Sequence, residues 1–342
     1  MDFRRNTGYL GLLCFLISLV SLDANSYETR KITNNHFTKS NINAFSLNFI
    51  KNCKSKKFLR DFERHPSYPR FGKIDDWEKF CHNLINSSNA QDFIVKNLMK
   101  GTLSGDPGLL TGYYQPLIEI SNHEDKEHKY PILKRKQHLM VPRGKINSLY
   151  KKEDVLYWAK SETALFFLQI QGSGIGLLDN GKLIELSYGG NNGYKYSSIS
   201  KILLRQSLIE KEEISAQKIK QWLKSNPERR TEILNYNKRY IFFKVSNFDG
   251  SYPRGAAGVE LVPKISIAID STIYPFGLPM LTKTKEKKYN LILINHDTGS
   301  AIKGKNRADL FLGRGQKAGV EAGKLIEKLN LYFLVPKVLE DK

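Results

Sequence analysis

A chain of 342 residues with a formal net charge of +20, 40% hydrophobic residues, 17 Tyr and 18 Phe can bury a large core. That composition excludes an intrinsically disordered chain. The positive balance favours anionic partners such as nucleic acid, phospholipid, lipopolysaccharide or an acidic polymer, and equally fits a soluble protein with a Lys-rich surface.

The N-terminus narrows the choice. Arg4 and Arg5 precede an apolar run from Tyr9 to Leu22, and Ala24-Asn25-Ser26 follows with small residues. This is the order of a secretory signal (residues 1–26) cleaved after Ser26. The run is short of the ~20 apolar residues a spanning helix needs, although an uncleaved anchor stays open. Cys14 lies inside the run behind Gly11-Leu12-Leu13, flanks that do not suit lipidation. Cleavage removes Arg4 and Arg5 together with Asp2 and Asp23, so the mature chain keeps its full charge. Export argues against nucleic acid, and no basic segment carries the interleaved aromatics of an RNA-binding motif. Cys53 and Cys81 either pair in an oxidising compartment or stay as two buried thiols. No Cys/His cluster has zinc spacing, so neither a metal nor a cofactor is implied.

Residues 27–104 read as an N-terminal helical segment. Phe45, Phe49 and Ile50, then Trp77, Phe80 and Leu84, then Phe93, Val95 and Leu98 recur at helical spacing. Beyond Gly105-Asp106-Pro107-Gly108 the texture becomes β-rich. Short runs between Gly, Pro and Asn predict strands at 109–114, 164–170, 182–186, 240–245, 265–269, 289–294 and 331–335. A helical patch is expected over 198–235, and one more short helix over 316–328. Many short strands with turn signals point to a barrel or sandwich.

Three segments can carry chemistry. Leu110-Thr111-Gly112-Tyr113-Tyr114-Gln115-Pro116 offers aromatic faces and hydrogen-bonding groups suited to a carbohydrate cleft, and equally to a buried strand end. In Gln169-Ile170-Gln171-Gly172-Ser173-Gly174 a strand would put Gln169 and Gln171 on one face before a Gly-rich turn. The third runs from Asp297-Thr298-Gly299 to Arg307-Ala308-Asp309, two carboxylates flanking a Gly-bounded turn with Lys303 and Arg307. An apolar neighbour such as Leu310 or Phe311 would raise the Asp309 pKa, as a general acid needs. Asp-Thr-Gly also marks aspartic proteases, but these need two converging copies and this chain has one.

Taken in order, these segments resemble the MltA family of lytic murein transglycosylases, from about Asp106 to Pro336. Leu110–Pro116 looks like the family's Thr-Gly-Tyr-Tyr motif, followed by Tyr130-Pro131-Ile132. Gln169–Gly174 matches its Gln-Gly-Ser-Gly turn, and Ser187–Gly193 its Tyr-x-Gly-x-Asn-Gly stretch. Tyr240–Phe243, Gly255–Val259 and a C-terminal three-aspartate domain at 265–338 complete the series. The resemblance implies a mainly β protein: a double-psi β-barrel from 105–128 and 240–342, with a smaller β domain inserted at 129–239. It also implies peptidoglycan glycan strands as substrate, a periplasmic location with outer-membrane association left open, a monomer, and other cell-wall enzymes as further partners. By the same resemblance Asp309 matches the single catalytic acid. Asp297 and Asp270 are then supporting residues, and Thr111, Tyr114, Gln171 and Ser173 groove contacts. The basic Asn237-Lys238-Arg239-Tyr240 stretch departs from the family pattern and leaves the groove charge open. A wall-binding protein without turnover is the competing reading, and would be indifferent to Asp309.

Overall fold

The structure, a computed structural model, describes residues 30–33, 36–103 and 106–337. The expected leader, with Cys14, lies outside them. A short strand β1 (Arg30–Lys31) precedes four helices, α1 (Lys39–Lys54), α2 (Lys56–Glu63), α3 (Ile74–Ile85) and α4 (Ala90–Asn97). Thr38 and Asn89 cap α1 and α4 by accepting the amides of Asn41 and Asp92. Apolar residues at helical spacing turn one face inward, where Phe45, Phe49, Phe58, Trp77 and Phe80 interlock with ring centroids 5.2–6.2 Å apart. The same faces pack onto the strands that follow and share one hydrophobic core with them.

Cys53 and Cys81 are disulfide-bonded and tie α1 to α3 across 28 residues of sequence. Closing a loop of that length restricts the unfolded chain, worth about 3 kcal/mol. Reduction, or the Cys53→Ser/Cys81→Ser pair, is expected to lower the unfolding free energy by roughly that amount. Urea titrations with and without reductant measure it, and coincident curves would show the bridge to be energetically idle.

Next come β2 (Leu98–Gly101), β3 (Gly108–Gln115), β4 (Leu117–Ser121), β5 (Tyr130–Leu133) and a single-turn helix α5 (Arg143–Ile146). They are followed by β6 (Val155–Ala159), α6 (Glu162–Gln171), β7 (Gly174–Leu178) and β8 (Leu183–Asn191). Then come α7 (Ile199–Arg205), α8 (Ala216–Ser225), α9 (Pro227–Asn235) and β9 (Ile241–Asn247). The chain ends with β10 (Ser266–Ile269), β11 (Pro279–Lys283), β12 (Ile292–Asp297), β13 (Arg307–Arg314), α10 (Gly315–Lys324) and β14 (Ile326–Pro336).

The strands form two mixed sheets. In the first, β14, β11, β12, β10, β13 and β3 pair in turn, and β3 pairs back onto β14, closing a ring; β2 and β1 extend it outward from β14. The second sheet runs β5-β6-β4-β7-β8-β9. The chain is mainly β, as the sequence predicts. The crossings, however, lie elsewhere than expected. The chain leaves the ring between Gln115 and Leu117 and returns after Asn247, so β4 and β9 belong to the second sheet rather than to a barrel at 105–128 and 240–342.

Other expectations change with the packing. Residues 164–170 form a helix, not a strand: Ser161 caps α6 through the Ala164 amide, and Gly172, at φ 85°, ends it. Leu165 and Leu168 face the second sheet while Phe166 faces the α7–α9 cluster, so burial on two sides hides the helical period. Strand β12 begins at Ile292, after a 3₁₀ turn over Lys287–Tyr289, rather than at Tyr289. The closing strand starts at Ile326 because α10 ends at Lys324.

Candidate active site

Asp309, beyond the Gly-bounded turn, is the third residue of β13. Ala308, Leu310 and Leu312 point into the core of the ring, so the alternate residues Arg307, Asp309 and Phe311 face the other way. Register places four side chains in one row across neighbouring strands. Asp297 of β12 lies opposite Ala268 of β10, Ala268 opposite Asp309, and Asp309 opposite Thr111 of β3. With strands about 4.8 Å apart, the two aspartates are separated by on the order of 10 Å between Cα atoms. The small Ala268 leaves an open floor between them.

This row forms one wall of a cleft of about 910 Å³; Gln171, Ser173, Tyr188 and Arg239, from the part of the chain that builds the second sheet, line the other. Asp309 is half-buried. Its Oδ1 accepts the Thr111 hydroxyl at 2.7 Å, and that hydroxyl oxygen accepts Nη2 of Arg307 at 2.8 Å. Burial raises the Asp309 pKa, the Thr111 bond and Arg307 oppose the rise, and Asp297 adds to it, leaving the carboxyl pushed up to about 6. Among the described residues, no donor engages its Oδ2.

The other two aspartates are committed to the protein. Asp297 accepts the amides of Ala256 and Thr298 on Oδ1 and the Tyr113 hydroxyl on Oδ2, each at 2.9 Å. Burial nevertheless raises its pKa against those donors. Asp270 is buried and takes Thr272 and Lys303 on Oδ1 and the Gly304 amide on Oδ2. Burial works to raise its pKa, but the Gly304 and Thr272 bonds and the Lys303 ammonium hold it below the usual carboxylate range. It fastens the loop between β12 and β13 and does not line the cleft.

Of the expected groove contacts, Ser173 and Gln171 line the cleft, and Thr111 reaches it through Asp309. Gln171 comes from the end of α6, and its Oε1 accepts the Tyr114 amide at 3.0 Å, tying the second part of the fold to β3. The Tyr114 ring turns away from the cleft and packs on α10, so closely that a Cβ on Gly319 would meet it at 2.8 Å. Tyr113 lines the cleft instead, beside Phe311 at 5.2 Å. Alternation from Thr111 is the signal that finds it. Arg239, within the basic 237–240 stretch, also lines the cleft, as do Arg143 and Tyr252, which no sequence motif marks.

The Thr111 bond yields a test. A hydrogen bond to the ionised carboxylate favours ionisation, so removing it raises the Asp309 pKa further. Thr111→Val is expected to move the alkaline limb of the pH–rate profile to higher pH, and Thr111→Ser to restore it. A limb that stays put or moves toward acid would remove Thr111 from the control of Asp309.

Two family models match the chain in succession. Residues 109–244 match the model of the MltA specific insert domain and residues 265–335 that of the 3D domain. The chain is 35% identical over 230 residues to membrane-bound lytic murein transglycosylase A of Vibrio cholerae, a match covering 63% of this chain and 62% of that relative, less than two thirds of its length. The crystal structure of a membrane-bound lytic murein transglycosylase from Agrobacterium tumefaciens superposes with a TM-score of 0.75 at 25% identity, covering 86% of this chain and 93% of that one. Escherichia coli MltA, solved with bound chitohexaose, shares the fold at a TM-score of 0.69 and 24% identity, covering 85% and 90%. With both domain models in sequence and these relatives alongside, the chain belongs to the MltA family of lytic murein transglycosylases.

Proposed function

We propose that this chain cleaves the β-1,4 bond between N-acetylmuramic acid and N-acetylglucosamine in peptidoglycan, leaving 1,6-anhydro ends. One observation carries this reading. Of the three aspartates of the C-terminal domain, Asp309 combines a raised pKa, an uncommitted carboxyl oxygen and a place in the cleft wall. Ordinary glycosidases need a second carboxylate as base or nucleophile. Here Asp297 has both oxygens occupied by protein donors. A single acid suffices if the nucleophile is the substrate's own 6-hydroxyl, held near the anomeric carbon by the ring itself.

Asp309 gives its proton to the glycosidic oxygen as the bond from C1 to the leaving sugar breaks. The 6-oxygen then bonds to C1, and its proton passes to the Asp309 carboxylate. The cycle ends with Asp309 protonated, as it began. Thr111, backed by Arg307, stabilises the carboxylate in the interval. Asp297 holds the Tyr113 ring and the Ala256 and Thr298 backbone around the acid, and Asp270 supports the neighbouring loop. The closed ring of six strands supports reading the first sheet as a double-psi barrel, with the substrate between it and the second sheet. The leader-like N-terminus supports a periplasmic location, and the names of the relatives, which call them membrane-bound, support an association with a membrane.

Mass spectrometry of peptidoglycan sacculi digested by the purified protein decides the reaction class. Anhydro-muropeptides are expected, whereas reducing ends would make the protein a hydrolase. Binding to sacculi with no soluble fragments released would make it a wall-binding protein.

A further inference from the structure

The two walls of the cleft carry opposite charge. On the side of the second sheet and its helices, Arg143, Arg239 and Lys244 line the cleft against one acid, Glu185. On the Asp309 side, four acids face two cations. Among the described residues, none of Arg143, Arg239 and Lys244 has a carboxylate within ion-pair distance. Arg143 donates to three neutral oxygens, the backbone carbonyls of Asn237 and Arg239 and the side chain of Gln169. Its guanidinium stacks on Phe166 at 4.7 Å and Tyr240 at 5.0 Å. The one acid that acts on it from further away, Glu162, accepts the Thr231 hydroxyl. Arg239 donates to the carbonyl oxygen of Tyr194 at 2.9 Å, and Lys244 is exposed.

A cation held at a cleft wall without a counter-ion carries a cost that an anionic ligand relieves. Resting on the peptidoglycan reading, we infer that Arg239 and Lys244, backed by Arg143, form a carboxylate-binding wall that receives the acidic arms of the glycan strand. The carboxylate is that of the lactyl group, or of the peptide that extends from it, and the wall favours such strands over neutral β-1,4 N-acetylglucosamine oligomers. Polarity also orients the strand. Carboxylates are drawn to the Arg239 side and repelled from the Asp297 side, which keeps them away from Asp309.

Binding without turnover tests this in the Asp309→Asn protein. Calorimetric titration would compare a peptide-free peptidoglycan tetrasaccharide with free lactyl carboxylates, the same tetrasaccharide with those carboxyls amidated, and chitohexaose. The acidic form is expected to bind about tenfold more tightly than the amidated one. That margin should shrink with added salt and vanish in an Arg239→Gln/Lys244→Gln background. Those two positions are chosen because Arg143 also anchors the 237–239 backbone, and its loss can disturb folding. Equal affinity for acidic and amidated forms, or a preference that survives the double substitution, would overturn the inference and leave the transglycosylase reading untouched. If none of the three ligands binds, both fall. Hydrolytic products from the wild-type protein would overturn only the reaction class.

Discussion

Asp309→Asn is expected to abolish release of anhydro-ended fragments from sacculi, a loss on the order of 10³-fold or more, because in the proposed mechanism one side chain serves both as acid and as base. The same substitution is expected to stabilise the protein at neutral pH. In the folded chain the Asp309 carboxyl is pushed up to about 6, above the ~3.9 of an unfolded aspartate. The folded state therefore holds this proton more tightly than the unfolded one. Its stabilising contribution is complete below about pH 4 and is lost as the pH rises through about 6. Asn mimics the protonated form at every pH. The variant should match wild type near pH 4 and exceed it above pH 7, by on the order of 3 kcal/mol. Urea unfolding at the two pH values reads this directly. An inactive variant that is also less stable at pH 7 would show that Asp309 holds the fold together, and its inactivity would then say nothing about catalysis. Activity should fall with the acid form as the pH rises above about 6.

What the sequence made legible was mainly order. Short motifs in sequence, from Thr111 through Gln171 and Gly255 to Asp309, singled out Asp309 as the candidate acid, and amphipathic spacing located α1 and α3. Misreadings have physical causes. Helix α6 is buried against the second sheet on one side and a helical cluster on the other, so Ala164–Ile170 lost the polar face that marks a helix. Tyr113 and Tyr114 are indistinguishable as a dipeptide. What separates them is the pairing of Thr111 with Asp309, 198 residues away, which decides the face of β3 that meets the cleft. Arg143 was invisible for a different reason: two of its acceptors are backbone carbonyls, which no residue pattern records.

Arg314→Ala is expected to cost about 100-fold in kcat/KM although Arg314 lies outside the cleft lining. The chain crosses between the two sheets twice, outward between Gln115 and Leu117 and back after Asn247. Arg314, at the end of β13, holds both crossings. Its Nε donates to the buried Gln115 side chain at 2.7 Å, and its Nη atoms donate to the carbonyls of Gly250 and Ser251. Its guanidinium is flanked by Phe248 at 4.6 Å and Tyr252 at 4.7 Å. The Arg314 fork thus ties the wall that carries Asp309 to the chain crossing that leads to the facing wall of the cleft. A displacement near 1 Å between reacting groups is enough for a loss of this size. Lysine cannot replace the planar fork, so Arg314→Lys should recover little. Both sheets have their own cores and should remain folded, which hydrogen exchange of amides in β7 and β12 can verify. A variant with near-normal kcat/KM and only a lowered melting temperature would reduce Arg314 to a structural tie. A catalytic loss with both cores protected would place the control of cleft geometry in a residue that touches neither substrate nor acid.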